Sequence, residues 1–210
     1  YGILRISYPI LPDSAVWFAP TMAIIALINI VYGSLCAMAQ QDLKKLVAYS
    51  SIAHMGYVML GMAAMTKAGM NGAVFQMFNH GTITAMLFLL VGVIYDRAHH
   101  RNIDGFGGLA VRTPIYAGIT SLAFFAALGL PSLSGFISEA LVFLGAFPVF
   151  PIITILSTAG IVLTAAYMLW TFQRMFLGPL NEKYATLSEI NARELVTLVP
   201  LGAIVVFLGI

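Results

Sequence analysis

Cysteine and charge are what this sequence has least of. One cysteine, Cys36, occurs in 210 residues. A single thiol excludes an internal disulfide framework, a thiolate zinc site and a cysteine-ligated cluster, so redox chemistry carried by this chain alone is not expected. Charged residues make up 9% of the chain against 60% hydrophobic ones, and the mean hydropathy is +0.95. Such a chain has too few polar groups to cover a water-soluble globule. The net charge of +2 is spread without a Lys/Arg cluster, which argues against nucleic acid as a partner. An initiating Met and a signal-type n-region are also missing, and the sequence stops inside an apolar run at Ile210. We therefore expect a fragment of a longer chain, with 1–210 as a single transmembrane domain of about five full spans plus partial spans at both ends.

What the sequence does have is length between charges. Uncharged stretches run over 14–41, 46–66, 68–95, 113–138 and 140–173, each long enough for the roughly 20 residues of a membrane-crossing helix. The predicted spans are 15–37, 45–65, 72–95, 114–146 with an interruption, 152–173, and 195 onward. The fold class is all-α, a polytopic transmembrane helix bundle whose main solvent is the lipid bilayer. The abundant Phe, Tyr and Met are packing or lipid-facing material.

Basic residues set the orientation. If 114–146 crosses once, Lys44, Lys45, Arg97, Arg101, Arg112, Arg174, Lys183 and Arg193 share one side, and only Arg5 and Lys67 lie on the other. Two crossings would divide them equally. The positive-inside rule thus favours one crossing, with the basic side in the cytoplasm or its organellar equivalent. A straight helix over 114–146 would reach about 50 Å, far beyond roughly 30 Å of hydrocarbon, so it must bend or break. Pro131, Ser132, Ser134 and Gly135 place a discontinuity at LPSLSG, 130–135. Freed backbone groups at that depth require protein or water partners, which implies a polar cavity.

Glu139 follows one turn after that break. His54 sits halfway along the second span, with Tyr49, Ser50 and Ser51 in the preceding turns. His80 lies a little short of the middle of the third span, beside Asn79, Thr82 and Thr84. Each could be a satisfied core residue. Together, three titratable groups on three helices at similar depth lay a polar path along the membrane, and a proton relay is the natural use. Haem ligation by His54 and His80 fits poorly with such hydroxyl- and amide-rich surroundings. The His99–His100 pair reads as solvated loop, not as a metal site. GFGGLA, 105–110, matches a dinucleotide-binding spacing but has no strand before it and reads as a flexible loop.

The strings QQDLKKLVAYSSIAHMGYVMLG, FQMFNHG and LGLPSLSGFISE resemble the antiporter-like membrane subunits of the proton-pumping NADH:quinone oxidoreductase, respiratory complex I, of the subunit M or chain 4 type. The resemblance covers nearly all 210 residues. It implies a fourteen-helix subunit of which this fragment holds the tail of the eighth helix and most of the ninth to fourteenth. It also implies a catalytic proton relay of His54, His80 and Glu139, Glu139 being the acidic residue of the M type. The implied function is proton translocation coupled to quinone reduction in other subunits. By that resemblance this chain holds no cofactor, and NADH, FMN, iron–sulfur clusters and quinone belong to partner subunits. The partners would be other complex I membrane subunits, sister antiporter-like subunits among them, in a bacterial inner membrane or a mitochondrial or thylakoid counterpart. Mrp cation/proton antiporters and membrane-bound hydrogenases share the fold and several motifs, and a purely structural scaffold would tolerate neutralisation of Glu139.

Overall fold

A computed structural model describes residues 1–210. It is built of helices, and its one strand-like pairing is a bridge between Asp42 and Asn102. A short helical segment, Ile3–Ser7 and Tyr8–Ile10, leads into α1, Pro12–Met38. Then follow α2, Leu43–Ala63; α3, Lys67–Ala98; α4, Pro114–Ala127; α5, Ser134–Ala146; α6, Pro151–Phe176; and α7, Ala192–Phe207. Helices α1, α2, α3 and α6 are each long and apolar enough to cross a membrane, whereas α4 and α5 are short apolar helices.

Local chemistry sets the helix ends. Asp42 accepts hydrogen bonds from the amides of Lys44 (2.8 Å) and Lys45 (3.2 Å), opening α2. Thr66 accepts from Gly69 N (3.1 Å) at the start of α3, and a reciprocal Asn191–Glu194 box starts α7. Glu189 lies in the loop before α7, yet its carboxylate accepts from the Ile115 and Tyr116 amides (2.9 and 3.2 Å), capping the N-terminus of α4 from outside the helix.

Helices α4 and α5 together make one passage antiparallel to α3. Tyr116 Oη donates to Leu90 O (2.9 Å), Asn79 Nδ2 to Ser134 O (2.8 Å), and Thr66 Oγ1 to Gly145 O (2.9 Å). The segment from 114 to 146 thus runs the length of α3 from its C-terminal half back to its start, about 30 Å of helix between Leu90 and Gly69. Close approach makes this possible: a Cβ on Gly72 would stand 2.7 Å from Val142 N, and one on Gly145 would collide with the Gly69 backbone. Bonds between connections group them at the two ends of the bundle. Asp42–Asn102, Arg174–Asp104 and Asn181–Gly105 tie the α1/α2, α3/α4 and α6/α7 connections at one end, whereas Thr66–Gly145 ties the other two connections at the opposite end.

The break falls earlier than the sequence pattern suggested. Helix α4 stops at Ala127, and Ser134 and Gly135 are already the first residues of α5. Gly129 is the cause. It takes φ +74°, its amide bonds Ala126 O (3.3 Å), and Leu130 N bonds Phe125 O (3.0 Å), which is the Schellman closure of a helix. Leu130–Pro131–Ser132–Leu133 then forms a tight turn closed by Leu133 N to Leu130 O (3.1 Å), with Pro131 second and Ser132 at φ +77° third. Two loop readings also change. His99 closes α3 in a left-handed conformation, and His100 is not merely solvated: it stacks on Phe106 at 4.5 Å and bonds Tyr184. GFGGLA leads into a short helix, Leu109–Arg112, with Gly107 and Gly108 close against Pro179 and Leu180.

Candidate functional site

The three residues singled out by sequence meet beside the break. Helix α5 carries Glu139 one turn in, helix α2 carries His54 midway, and both are 6% exposed. Glu139 Oε1 lies 3.6 Å from His54 Nδ1, and its other oxygen lies where a Cβ on Gly129 would stand only 2.8 Å away. The carboxylate is therefore held between the helix break and the imidazole. His80, half-buried on α3, places its ring 5.4 Å from that of His54 at a tilt of 41°. Rings this close leave no room for a porphyrin between them. His54 neighbours both of the other groups, and Thr84 Oγ1 reaches the His80 ring at 3.2 Å.

Sequence reasoning missed what orients this cluster. Asn79 Nδ2 donates to Ser138 Oγ (3.1 Å), Ser138 donates to Gln76 Oε1 (2.5 Å), and Gln76 Nε2 approaches His54 Nδ1 at 3.5 Å. All four side chains are buried. Gln76 presents its amide nitrogen to His54, an arrangement that suits the tautomer in which Nδ1 accepts. Reversing the Gln76 amide and the Ser138 hydroxyl would let Nδ1 carry a proton instead. The signal for Gln76 was its place one helical turn before His80 on α3; that for Ser138 was its position next to Glu139.

Energetics decide what the cluster can do. An unpaired carboxylate in this setting costs several kcal/mol, whereas a neutral acid beside neutral imidazole and a carboxylate beside imidazolium carry the same net charge. Passing a proton between Glu139 and His54 exchanges those two forms without adding charge to the bundle. The hydrogen-bond chain through Gln76 can reverse with it. The arrangement is suited to moving protons, and no group of three or more His, Cys, Asp and Glu converges as metal ligands.

A discontinuous apolar helix that buries a carboxylate against histidine, in a bundle with four helices long and apolar enough to cross a bilayer, is the architecture of an integral membrane protein. Residues 1–166 match the family described as NADH:quinone oxidoreductase/Mrp antiporter, TM. The chain belongs to this family. It is similar to NADH-quinone oxidoreductase subunit M of Rhodobacter capsulatus, 46% identical over all of this chain and 41% of the relative. F(420)H(2) dehydrogenase subunit M of Methanosarcina mazei is 39% identical over all of this chain and 43% of the relative. Among solved structures, a chain of respiratory complex I from Thermus thermophilus with bound NADH superposes with a TM-score of 0.93 at 29% identity, covering 99% of this chain and 44% of that one. The chain thus spans about two fifths of the length of the curated relatives it matches.

Proposed function

We propose that this chain is part of a proton-translocating membrane subunit of an NADH:quinone oxidoreductase of the complex I kind. In this reading Glu139, His54 and His80 hand protons along the membrane plane. Oxidation of NADH and reduction of quinone take place in partner subunits, which hold the flavin and iron–sulfur clusters, and sister antiporter-like subunits extend the path. The basic end of the bundle faces the cytoplasm of a bacterium whose inner membrane holds the complex.

The observation that carries this reading is the buried Glu139–His54 pair at 3.6 Å, set against the helix break. A structural pair would gain from close, direct hydrogen bonding. This one stands just beyond hydrogen-bond reach, so a small side-chain movement makes or breaks it, and its neighbours are amides and hydroxyls that can turn. Energy from the partner subunits need only alter the local field to favour one proton position over the other. The names of the similar proteins support the assignment, and the differing electron donors in those names fit a chain that does not touch the donor itself.

The test is Glu139→Gln in the full-length subunit within the assembled complex, reconstituted in vesicles. Gln keeps size and hydrogen bonding and removes the proton. Proton translocation should fall sharply while native-gel assembly survives, and Glu139→Asp should restore part of it. Unchanged translocation in Glu139→Gln would make Glu139 structural. Mass spectrometry of the intact complex should find flavin- and iron–sulfur-bearing partner chains.

A further inference from the structure

The two halves of the broken helix are anchored separately. Helix α5 is bonded near both of its ends to the first half of α3 and the residue before it, through Asn79 and Thr66. The hydrogen bonds that reach α4 from other elements all fall in its first turn: Tyr116 Oη donates to Leu90 O, and the amides of Ile115 and Tyr116 donate to the Glu189 carboxylate. Beyond that turn its hydroxyls, Thr120 and Ser121, bond back to their own helix, and its buried face is Ala123, Phe124, Ala126 and Ala127. Apolar contact is non-directional and fixes the axial place of a helix less firmly than hydrogen bonds do.

Glu189 is the whole of the α4 cap. Pro114 at the first helical position has no amide hydrogen, Ala117 N already bonds Thr113 O (2.9 Å), and Thr113 turns its hydroxyl onto Leu109 O. The two amides left free go to one carboxylate, 73 and 74 residues along the chain. The strap that carries it, residues 187–190, is fastened by arginine. Leu187 O accepts from Arg112 Nε (3.1 Å), Ser188 O from Arg97 Nε (3.0 Å) and Glu189 O from Arg97 Nη2 (3.1 Å). Arg97 also grips both oxygens of Glu194 at the start of α7 (2.8 and 2.7 Å), a bidentate pair of fixed geometry. Leu187 and Ile190 are buried on either side of the bonded pair. The strap thus turns its carbonyls to cations and its carboxylate to the positive end of α4. At its other end, about 21 Å from Ile115, α4 closes at Gly129, against which Glu139 Oε2 rests. The turn between the halves belongs to neither helix, so α4 and α5 need not move together.

We propose that Glu189 is a positioning residue for Glu139: fastened by Arg97, with Arg112 holding the strap beside it, it fixes the axial place of α4 and so sets how closely Gly129 stands against the Glu139 carboxylate. The consequence for translocation rests on Glu139 being a proton carrier. Glu189 sits at the opposite end of α4 from that carboxylate and acts on it only through the helix.

The test uses the full-length subunit in its assembled complex. Glu189→Ala frees the two amides, and hydrogen–deuterium exchange of the peptide holding Ile115 and Tyr116 should quicken about fivefold, the equilibrium equivalent of one lost cap. Translocation should fall roughly tenfold, the effect of a fraction of an ångström at such a site. The infrared band of the Glu139 carboxyl group, identified by its loss in Glu139→Gln, should shift in frequency. Substitutions this far apart ordinarily act independently. Glu189→Ala and Gly129→Ala instead share one route, so the double variant should translocate within about twofold of either single one, not roughly a hundredfold below the unsubstituted complex. Should Glu189→Ala fail to assemble, Glu189→Gln, which keeps one acceptor oxygen, carries the same comparison. An unmoved Glu139 band, or effects that multiply, makes Glu189 a local cap and overturns the proposal. An equal loss in Glu182→Gln, which removes an exposed charge from the same connection, also overturns it. So does an unchanged rate in Glu189→Ala while Glu139→Gln stops translocation. If Glu139→Gln translocates normally, the relay reading fails, and the infrared shift in Glu189→Ala still decides whether Glu189 positions the carboxylate.

Discussion

Replacing Gly129 separates the backbone of the helix break from the carboxylate it holds. Gly129 has φ +74°, and an added Cβ would stand 2.8 Å from Glu139 Oε2 and 3.5 Å from Glu139 Cδ. Gly129→Ala therefore meets two penalties. A left-handed conformation costs an ordinary L-residue about 1–2 kcal/mol. The carboxylate must also retreat by about 0.6 Å to regain normal contact, in a site where misplacement of 1 Å can lower a rate roughly a hundredfold. Gly129→Asn shares the second penalty but escapes most of the first, because Asn tolerates the left-handed region. The expectation is that both variants slow proton translocation by roughly tenfold, and that Ala loses about 1 kcal/mol more stability than Asn. Thermal unfolding of the detergent-solubilised complex reads the stability, and vesicle translocation reads the rate. If Gly129→Ala translocates at the unsubstituted rate, the carboxylate is not held where the argument needs it. If Ala and Asn are equally stable, the left-handed strain is misjudged.

Two further predictions concern the basic end of the bundle. With Cys36 replaced, a cysteine at Asn102 should react with a membrane-impermeant thiol reagent from the cytoplasmic side and one at Lys67 from the opposite side; labelling of both from one side would refute the single passage of α4 and α5. Burial, with Lys183 adding repulsion, holds the His100 imidazole below its usual range. Because its folded affinity for protons is depressed, the packing of His100 on Phe106 and Tyr184 is strongest when the ring is neutral and weakens as pH falls below the ordinary histidine value of about 6.5. Protonation also puts hydrogen on Nδ1, which now accepts from Asn102 N (3.2 Å). Trypsin cleavage at Arg101 and Lys183 should rise as pH drops from 7 to 5.5 once corrected for protease activity, and His100→Phe should abolish that rise.

Much of this architecture was written in the order of residues. Long uncharged runs cannot avoid the bilayer, and a backbone in lipid must bond to itself, so the helices and their approximate limits follow from composition alone. The basic residues, eight against two, were enough to favour one passage over 114–146. Glu139, His54 and His80 were conspicuous because an ionisable group within an apolar run is expensive. The helix stop was also legible in Gly129, a glycine followed two residues later by Pro131, but the proline and serines drew attention about two residues too far along the chain.

Tertiary structure decided the rest, because helical periodicity specifies a face but not the partner it meets. Nothing in the local pattern around Gln76 or Ser138 says that they join each other across α3 and α5 and then reach His54, since that depends on the close approach of Gly72 to Val142 and Gly145 to Gly69. Depth in the membrane is set by hydrophobicity summed along one helix; contact between groups on different helices is set by which side chains are small enough to let backbones touch. The sequence by itself therefore determined which residues are costly to bury, and only the packing of α2, α3, α5 and α6 determined that they are buried together.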